Sequence, residues 1–211
     1  RAAGVEVVLI NLPAGDWGRG ERGIGCLPGR EAEFREGVAR GLRYARALGC
    51  RRINALAGIE PAGAQPKVLH DVLVANLRFA ATALAAEGME LLVEPQNTRT
   101  FPGVHLRSTA QACALMDEVG AANLRLQYDL FHMQIMEGDL AKSLERLLPR
   151  IGHVQVADVP DRHEPGTGEL NFPWLLAHID RLGYGGAIGC EYNPAGDTLA
   201  GLAWAAPYLK A

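Results

Sequence analysis

Four polar residues close four successive apolar runs. Glu94 follows MELLV, Asp129 follows LRLQY, Gln155 lies within IGHVQVAD, and Glu191 follows GGAIGC. If these runs are parallel strands, each leading into a helix, the four side chains sit at one end of one sheet. Three carboxylates and an amide oxygen are hard donors, a set that suits Mg²⁺ or Mn²⁺ better than thiolate and imidazole sets do. Strand-end carboxylates also cap the helices that follow them. Capping accounts for one or two such residues but not for four in register. Asp129 begins a DxxH step, and with Asp129 on an ion His132 would reach a substrate oxygen and orient it; the plain alternative is a histidine satisfied by a loop carbonyl. In GHVQVAD, alternation puts His153, Gln155 and Ala157 on one face, with Gln155 further along the strand than His153. Glu94 and Glu191 would flank a chelated substrate. A polarised carbonyl acidifies the adjacent C–H, and carboxylates nearby can remove that proton and return it to the neighbouring carbon, as an isomerase or epimerase does. A metal-dependent hydrolase or aldolase would use the same ligands, so the donor set alone leaves the reaction open.

The elements that would position these residues follow one repeated pattern: an apolar run, a polar loop and an amphipathic helix. Strands are expected at 5–11, 52–57, 89–94, 124–129, 151–157 and 187–191. Helices are expected at 31–48 (Phe34, Val38, Leu42, Ala45 and Leu48 inward, Gly49 ending it), 66–87 (Leu69, Leu73, Leu77, Ala80 and Leu84 inward, Gly88 closing it) and 108–119, with Ser108 as N-cap. Others are expected at 139–148, where Asp139 can cap and Pro149 stops the element, at 172–182, and before Tyr208. Such alternation implies parallel strands with right-handed crossovers, in a doubly wound sheet or a barrel. Open sheets gather a ligand at one switch point, whereas barrels draw site residues from many strand ends. The glycines between Gly15 and Gly25 lack the strand–GxGxxG–helix context of a dinucleotide site. The expectation is therefore a (β/α)8 TIM barrel. A full barrel takes about 250 residues. Six readable units in 211 residues, starting at Arg1, predict one domain over residues 1–211 whose first two βα units are missing. Open sheet edges would then need covering by unread units, a rearrangement or another chain, homo-oligomerisation included.

Composition narrows the function classes. With 48% apolar and 21% charged residues and a net charge of −3, the chain has a full-sized core and no basic face for nucleic acid or an anionic membrane. No apolar stretch reads as the roughly 20-residue span a bilayer requires. Cys26, Cys50, Cys113 and Cys190 show no paired spacing and read as small hydrophobes in a reducing cytoplasm, Cys190 drawing notice only because it adjoins Glu191.

Longer segments carry a resemblance. NLPAGDWGRGERGIGCLPGR, EPQN, LQYDLFHMQIMEGDL, GHVQVADVPDRHEPGTGEL and GCEYNP resemble the hydroxypyruvate isomerase family, a branch of the xylose-isomerase-like TIM barrels that also contains sugar 3-epimerases. By that resemblance Glu94 and Glu191 are the acid/base glutamates; Glu94, Asp129, Gln155 and Glu191 form the metal shell; and His132 orients the substrate. Gln155 stands where related epimerases generally carry His, which favours a hard ion, Mg²⁺ or Mn²⁺. Arg162, His163 and Arg22 are candidates to hold a substrate carboxylate, Arg in bidentate fashion. The resemblance implies an isomerase interconverting hydroxypyruvate and 2-hydroxy-3-oxopropanoate through an enediolate. A 2-oxo-tetronate isomerase or ketose 3-epimerase on the same site, and an inactive truncated barrel serving as a binding or scaffold protein, are the competing expectations. An endonuclease on this fold would need a His-rich zinc cluster and a basic groove, and the chain has only six His.

Overall fold

A computed structural model describes residues 4–209. The chain forms two compact units, the first ending at Gln127 and the second beginning at Tyr128. The first holds strands β1 (Ile10–Asn11), β2 (Arg52–Asn54), β3 (Glu90–Val93) and most of β4 (Leu124–Asp129), with helices α1 (Glu31–Leu48), α2 (Pro66–Ala85) and α3 (Thr109–Val119). Neighbouring strands follow chain order and are parallel: Asn11 pairs with Asn54, Asn54 with Leu92, and Val93 with Leu126. The second unit holds α4 (Leu130–Met136), α5 (Leu140–Leu147), β5 (Ile151–Val156), α6 (Phe172–Arg181), β6 (Ile188–Cys190) and the short α7 (Thr198–Gly201). β5 and β6 are also parallel, with Gln155 opposite Gly189.

In the first unit the helices bury leucine and alanine stripes against the strands. α2 turns Leu69, Leu73, Leu77, Ala80 and Leu84 inward and packs on α1, α3 and β3. It is also 20 residues long and apolar enough, by length and composition, to cross a membrane, which corrects the sequence expectation that no stretch qualifies. Its buried stripe makes it a core helix here. α1 buries Phe34, Val38 and Ala45 as expected, but Leu42 is half-buried and Leu48 is 42% exposed. The contact face runs through Gly37 and Gly41 instead. A Cβ at Gly41 would come within 2.6 Å of Leu12 Cδ2, so glycine lets the helix approach the strand closely. Beyond Gly41 the helix overhangs β1, and Tyr44 and Leu48 line an apolar surface with Ile10.

Several boundaries shift for identifiable reasons. β1 covers only the last two of the seven residues expected, and Val5 is 72% exposed. β2 ends at Asn54, although Ala55 N still donates to Leu92 O at 3.0 Å and Ala57 bridges Gly23 in antiparallel sense. α2 ends at Ala85, two residues before the expected end, and Gly88 then makes a left-handed turn at φ 65°. Ser108 caps α3 by accepting from Gln111 N, as expected. Asp139 does not cap α5: it sits at φ 44° and its side chain makes no capping bond. Asn171 caps α6, accepting from Trp174 N. Cys26 and Cys50 are buried as expected, Cys113 is half-buried and Cys190 is exposed, and none of the four forms a disulfide. α4 lies outside the helices that the sequence pattern predicts. Its sequence LFHMQIM shows no polar face, and it starts with no loop after β4.

Candidate active site

Each of the four residues expected to ligate an ion lies at the C-terminal end of its own strand. Glu94 directly follows β3, Asp129 ends β4, Gln155 is the penultimate residue of β5, and Glu191 directly follows β6. Glu94, Asp129 and Gln155 are buried, and Glu191 is 48% exposed at its side chain.

In the first unit Glu94 is held by Asn54, whose Nδ2 donates to Glu94 Oε2 at 3.3 Å and to Asn11 Oδ1 at 3.1 Å. Arg22, in the loop after β1, gives its guanidinium to carbonyls of that loop, Trp17 O at 3.1 Å and Glu21 O at 2.7 Å, and stacks 3.9 Å from the Trp17 ring.

In the second unit the DxxH step has the compactness its spacing predicts. Asp129 Oδ1 accepts from Phe131 N at 2.8 Å and His132 N at 3.4 Å and so caps α4. The cap engages only one of the two oxygens, and Oδ2 accepts no hydrogen bond. His132 Nε2 lies 3.8 Å from that oxygen, beyond hydrogen-bond range, and both side chains are fully buried. Burial, with the Arg162 charge adding to it, pushes the His132 imidazole down to about 3, so it is neutral at physiological pH. Burial also raises the Asp129 carboxyl above its ordinary range, while Arg162 and the two capping N–H groups oppose the rise. Across β5 and β6, a Cβ at Gly189 would come within 2.8 Å of His153 Nε2 and 3.3 Å of Gln155 Cγ, which puts His153 and Gln155 on one face as the alternation predicts.

Arg162 joins two of the carboxylates. Its Nη2 lies 2.7 Å from Glu191 Oε2 and 3.7 Å from Asp129 Oδ2, its Nε donates to Glu191 O at 3.1 Å, and its guanidinium carbon sits 5.1 Å from the Phe131 ring centroid. Although its side chain is half-exposed, partial desolvation raises the Glu191 carboxyl and the Asp129 charge adds to the rise, while Arg162 opposes both. Arg162 itself has φ 60°, a left-handed conformation that costs a side-chain-bearing residue energy and persists only where its surroundings enforce it. Arg162 N donates to Asp158 O at 2.9 Å, and the Asp158 side chain, which sequence reading missed, ties the loop that carries Arg162. Its buried carboxylate accepts four backbone N–H groups: Val159 and Leu170 on Oδ1, Gly166 and Gly168 on Oδ2, all at 2.9–3.1 Å. Gly168 is required there, since a Cβ would collide with Val159 O. His163, also named from sequence, is tied to the loop after β6, its Nδ1 lying 2.7 Å from Asn193 O. Glu94, Asp129 and His132 are buried and each offers a ligand atom of metal-binding type; His132 was expected only to orient substrate.

Parallel strands that end in acidic and amide side chains, each followed by a loop or helix, match one family model, the xylose isomerase-like TIM barrel, over residues 1–208, and the chain belongs to that family. Within it, the chain is 53% identical over 204 residues to the hydroxypyruvate isomerase of Escherichia coli, covering 97% of this chain and 79% of the relative. It is 50% identical over 208 residues to the 2-oxo-tetronate isomerase of Cupriavidus necator, covering 99% and 80%. A crystal structure titled AP endonuclease, family 2, from Brucella melitensis superposes with a TM-score of 0.94 at 47% identity, covering 98% of this chain and 80% of that one. The relatives named isomerases place this chain among enzymes of that class.

Proposed function

We propose that the chain interconverts hydroxypyruvate and 2-hydroxy-3-oxopropanoate through an enediolate, with Mg²⁺ or Mn²⁺ held by Glu94, Asp129, Gln155 and Glu191. The observation that carries this reading is Asp129, a fully buried carboxylate with one oxygen fixed by α4 and the other accepting no hydrogen bond. A buried acceptor of that kind among hard oxygen donors fits a small divalent cation. When bound, such a cation would polarise the substrate carbonyl and stabilise negative charge on its oxygen.

The chain's own residues do the rest. Glu191 takes the proton from the hydroxyl-bearing carbon and returns it, alone or with Glu94, to the former carbonyl carbon, while the hydroxyl proton passes from the alcohol oxygen to the former carbonyl oxygen. Neutral His132 orients a substrate oxygen. Arg162 holds the substrate carboxylate in bidentate fashion and exchanges part of its contact with Glu191 to do so. His163 and Arg22 are assigned to the outer contacts of the same acid. The identity to a 2-oxo-tetronate isomerase supports a second substrate one carbon longer. The net charge of −3 speaks against a DNA substrate, which is gripped by cationic phosphate contacts.

Proton NMR in D₂O with each oxo-acid tests the proposal. Turnover with solvent deuterium at the reacting carbon is expected, and Glu191→Gln and Glu94→Gln should each slow incorporation by about 10²- to 10⁴-fold. Parental exchange rates in both variants, or nicking of abasic DNA without any isomerisation, would overturn it.

A further inference from the structure

The most informative polar group outside the proposed ligand set is Asn54, at the C-terminal end of β2 and completely buried. It pairs with Asn11 on one side and Leu92 on the other, so Asn11, Asn54 and Glu94 lie on one face by the two-residue alternation. Both contacts of Nδ2 are to acceptors, Asn11 Oδ1 and Glu94 Oε2, and together they fix which way the amide is turned. Oδ1 then points away from both and accepts no hydrogen bond. A residue needed only to fill the sheet interior would not leave a buried acceptor unmet, since that is costlier than an apolar side chain of the same size.

We infer that Asn54 positions Glu94 through Nδ2 and receives a hydroxyl of the substrate on Oδ1. This rests on the isomerase reading above and adds to it the residue that recognises the hydroxyl. Covalent geometry keeps Oδ1 within about 5.5 Å of Glu94 Oε2, a span that a three-carbon hydroxy acid bridges. A site built around an unmet acceptor discriminates strongly against a ligand lacking the hydroxyl, because the acceptor then stays buried and unpaired.

The test uses glycerate and lactate, which differ by one hydroxyl, titrated calorimetrically into the protein with Mn²⁺, alongside hydroxypyruvate turnover. The parental protein should prefer glycerate by about tenfold or more. Asn54→Leu should abolish that preference. Asn54→Asp keeps an oxygen for the hydroxyl but loses the donor to Glu94, so the preference should persist while kcat falls by about 10²-fold. Circular dichroism confirms folding, and Asn54→Ala, which also lacks the acceptor, replaces Asn54→Leu if the latter does not fold. Equal weakening of both acids in Asn54→Leu, or a parental kcat in Asn54→Asp, overturns the inference. If the parental protein turns over hydroxypyruvate yet shows no preference, this inference alone fails; absence of turnover brings down the isomerase reading with it.

Discussion

Asp158→Asn tests how the strained Arg162 is held. Each carboxylate oxygen of Asp158 accepts two backbone N–H groups. Whichever way an asparagine amide turns, two of those donors face an NH₂ group instead of an oxygen. Leaving a donor unmet costs about 1–3 kcal/mol, and the Gly166 and Gly168 backbone is open enough for water to recover part of it, so a loss of about 2–4 kcal/mol is expected. That corresponds to about 30- to 700-fold less protection against amide exchange in the 158–170 loop. Hydrogen exchange read by mass spectrometry should show the loss in that loop and not in α2. As the loop loosens, Arg162 can relax from φ 60° and release Glu191, so KM for the oxo-acid should rise more than kcat falls. Unchanged exchange in the loop, or loss spread equally over α2, would show that Asp158 is not the clamp.

Three further outcomes are expected. Exhaustive chelation should abolish isomerisation, and Mg²⁺ or Mn²⁺ should restore it; full turnover with metal absence verified by elemental analysis would exclude the metal role. Burial pushes the Cys26 thiol up to about 12, so at pH 8 about one molecule in 10⁴ carries the thiolate there, and iodoacetamide should modify exposed Cys190 well before Cys26, as peptide mapping would show. Burial holds His105 below the ordinary histidine range, with His70 and Arg107 acting in the same direction and Glu60 opposing. The folded state keeps it neutral while the unfolded chain protonates near pH 6.5, so stability should fall as pH drops from about 6.5 towards the lower folded value, and His105→Gln should flatten that slope in thermal melts.

The strand–helix alternation and the strand-end residues were legible because both follow from short-range patterns. α2 and α3 announce themselves by a leucine stripe and a serine cap. What was not legible depends on three-dimensional neighbours. α4 lacks a polar face, so only its junction with β4 reveals it. The inward face of α1 is misplaced at Leu48 by pattern alone because Gly37 and Gly41, which carry no hydrophobic signal, make the close contact. Asp158 looks like one more loop acid, since its four donors come from residues up to twelve positions away. Asn54 reads as an ordinary strand residue until its unmet oxygen is seen.

The capping bond from Asp129 has a consequence for ion choice. With Oδ1 engaged by Phe131 N and His132 N, Asp129 can offer a cation one oxygen and not two. Ca²⁺ fills its larger shell by drawing on bidentate carboxylates, whereas Mg²⁺ takes six oxygens in a tight octahedron and is satisfied by single-point donors. With a cation bound at Asp129, the helix start would act as a denticity filter, favouring the smaller ion by geometry before charge is counted.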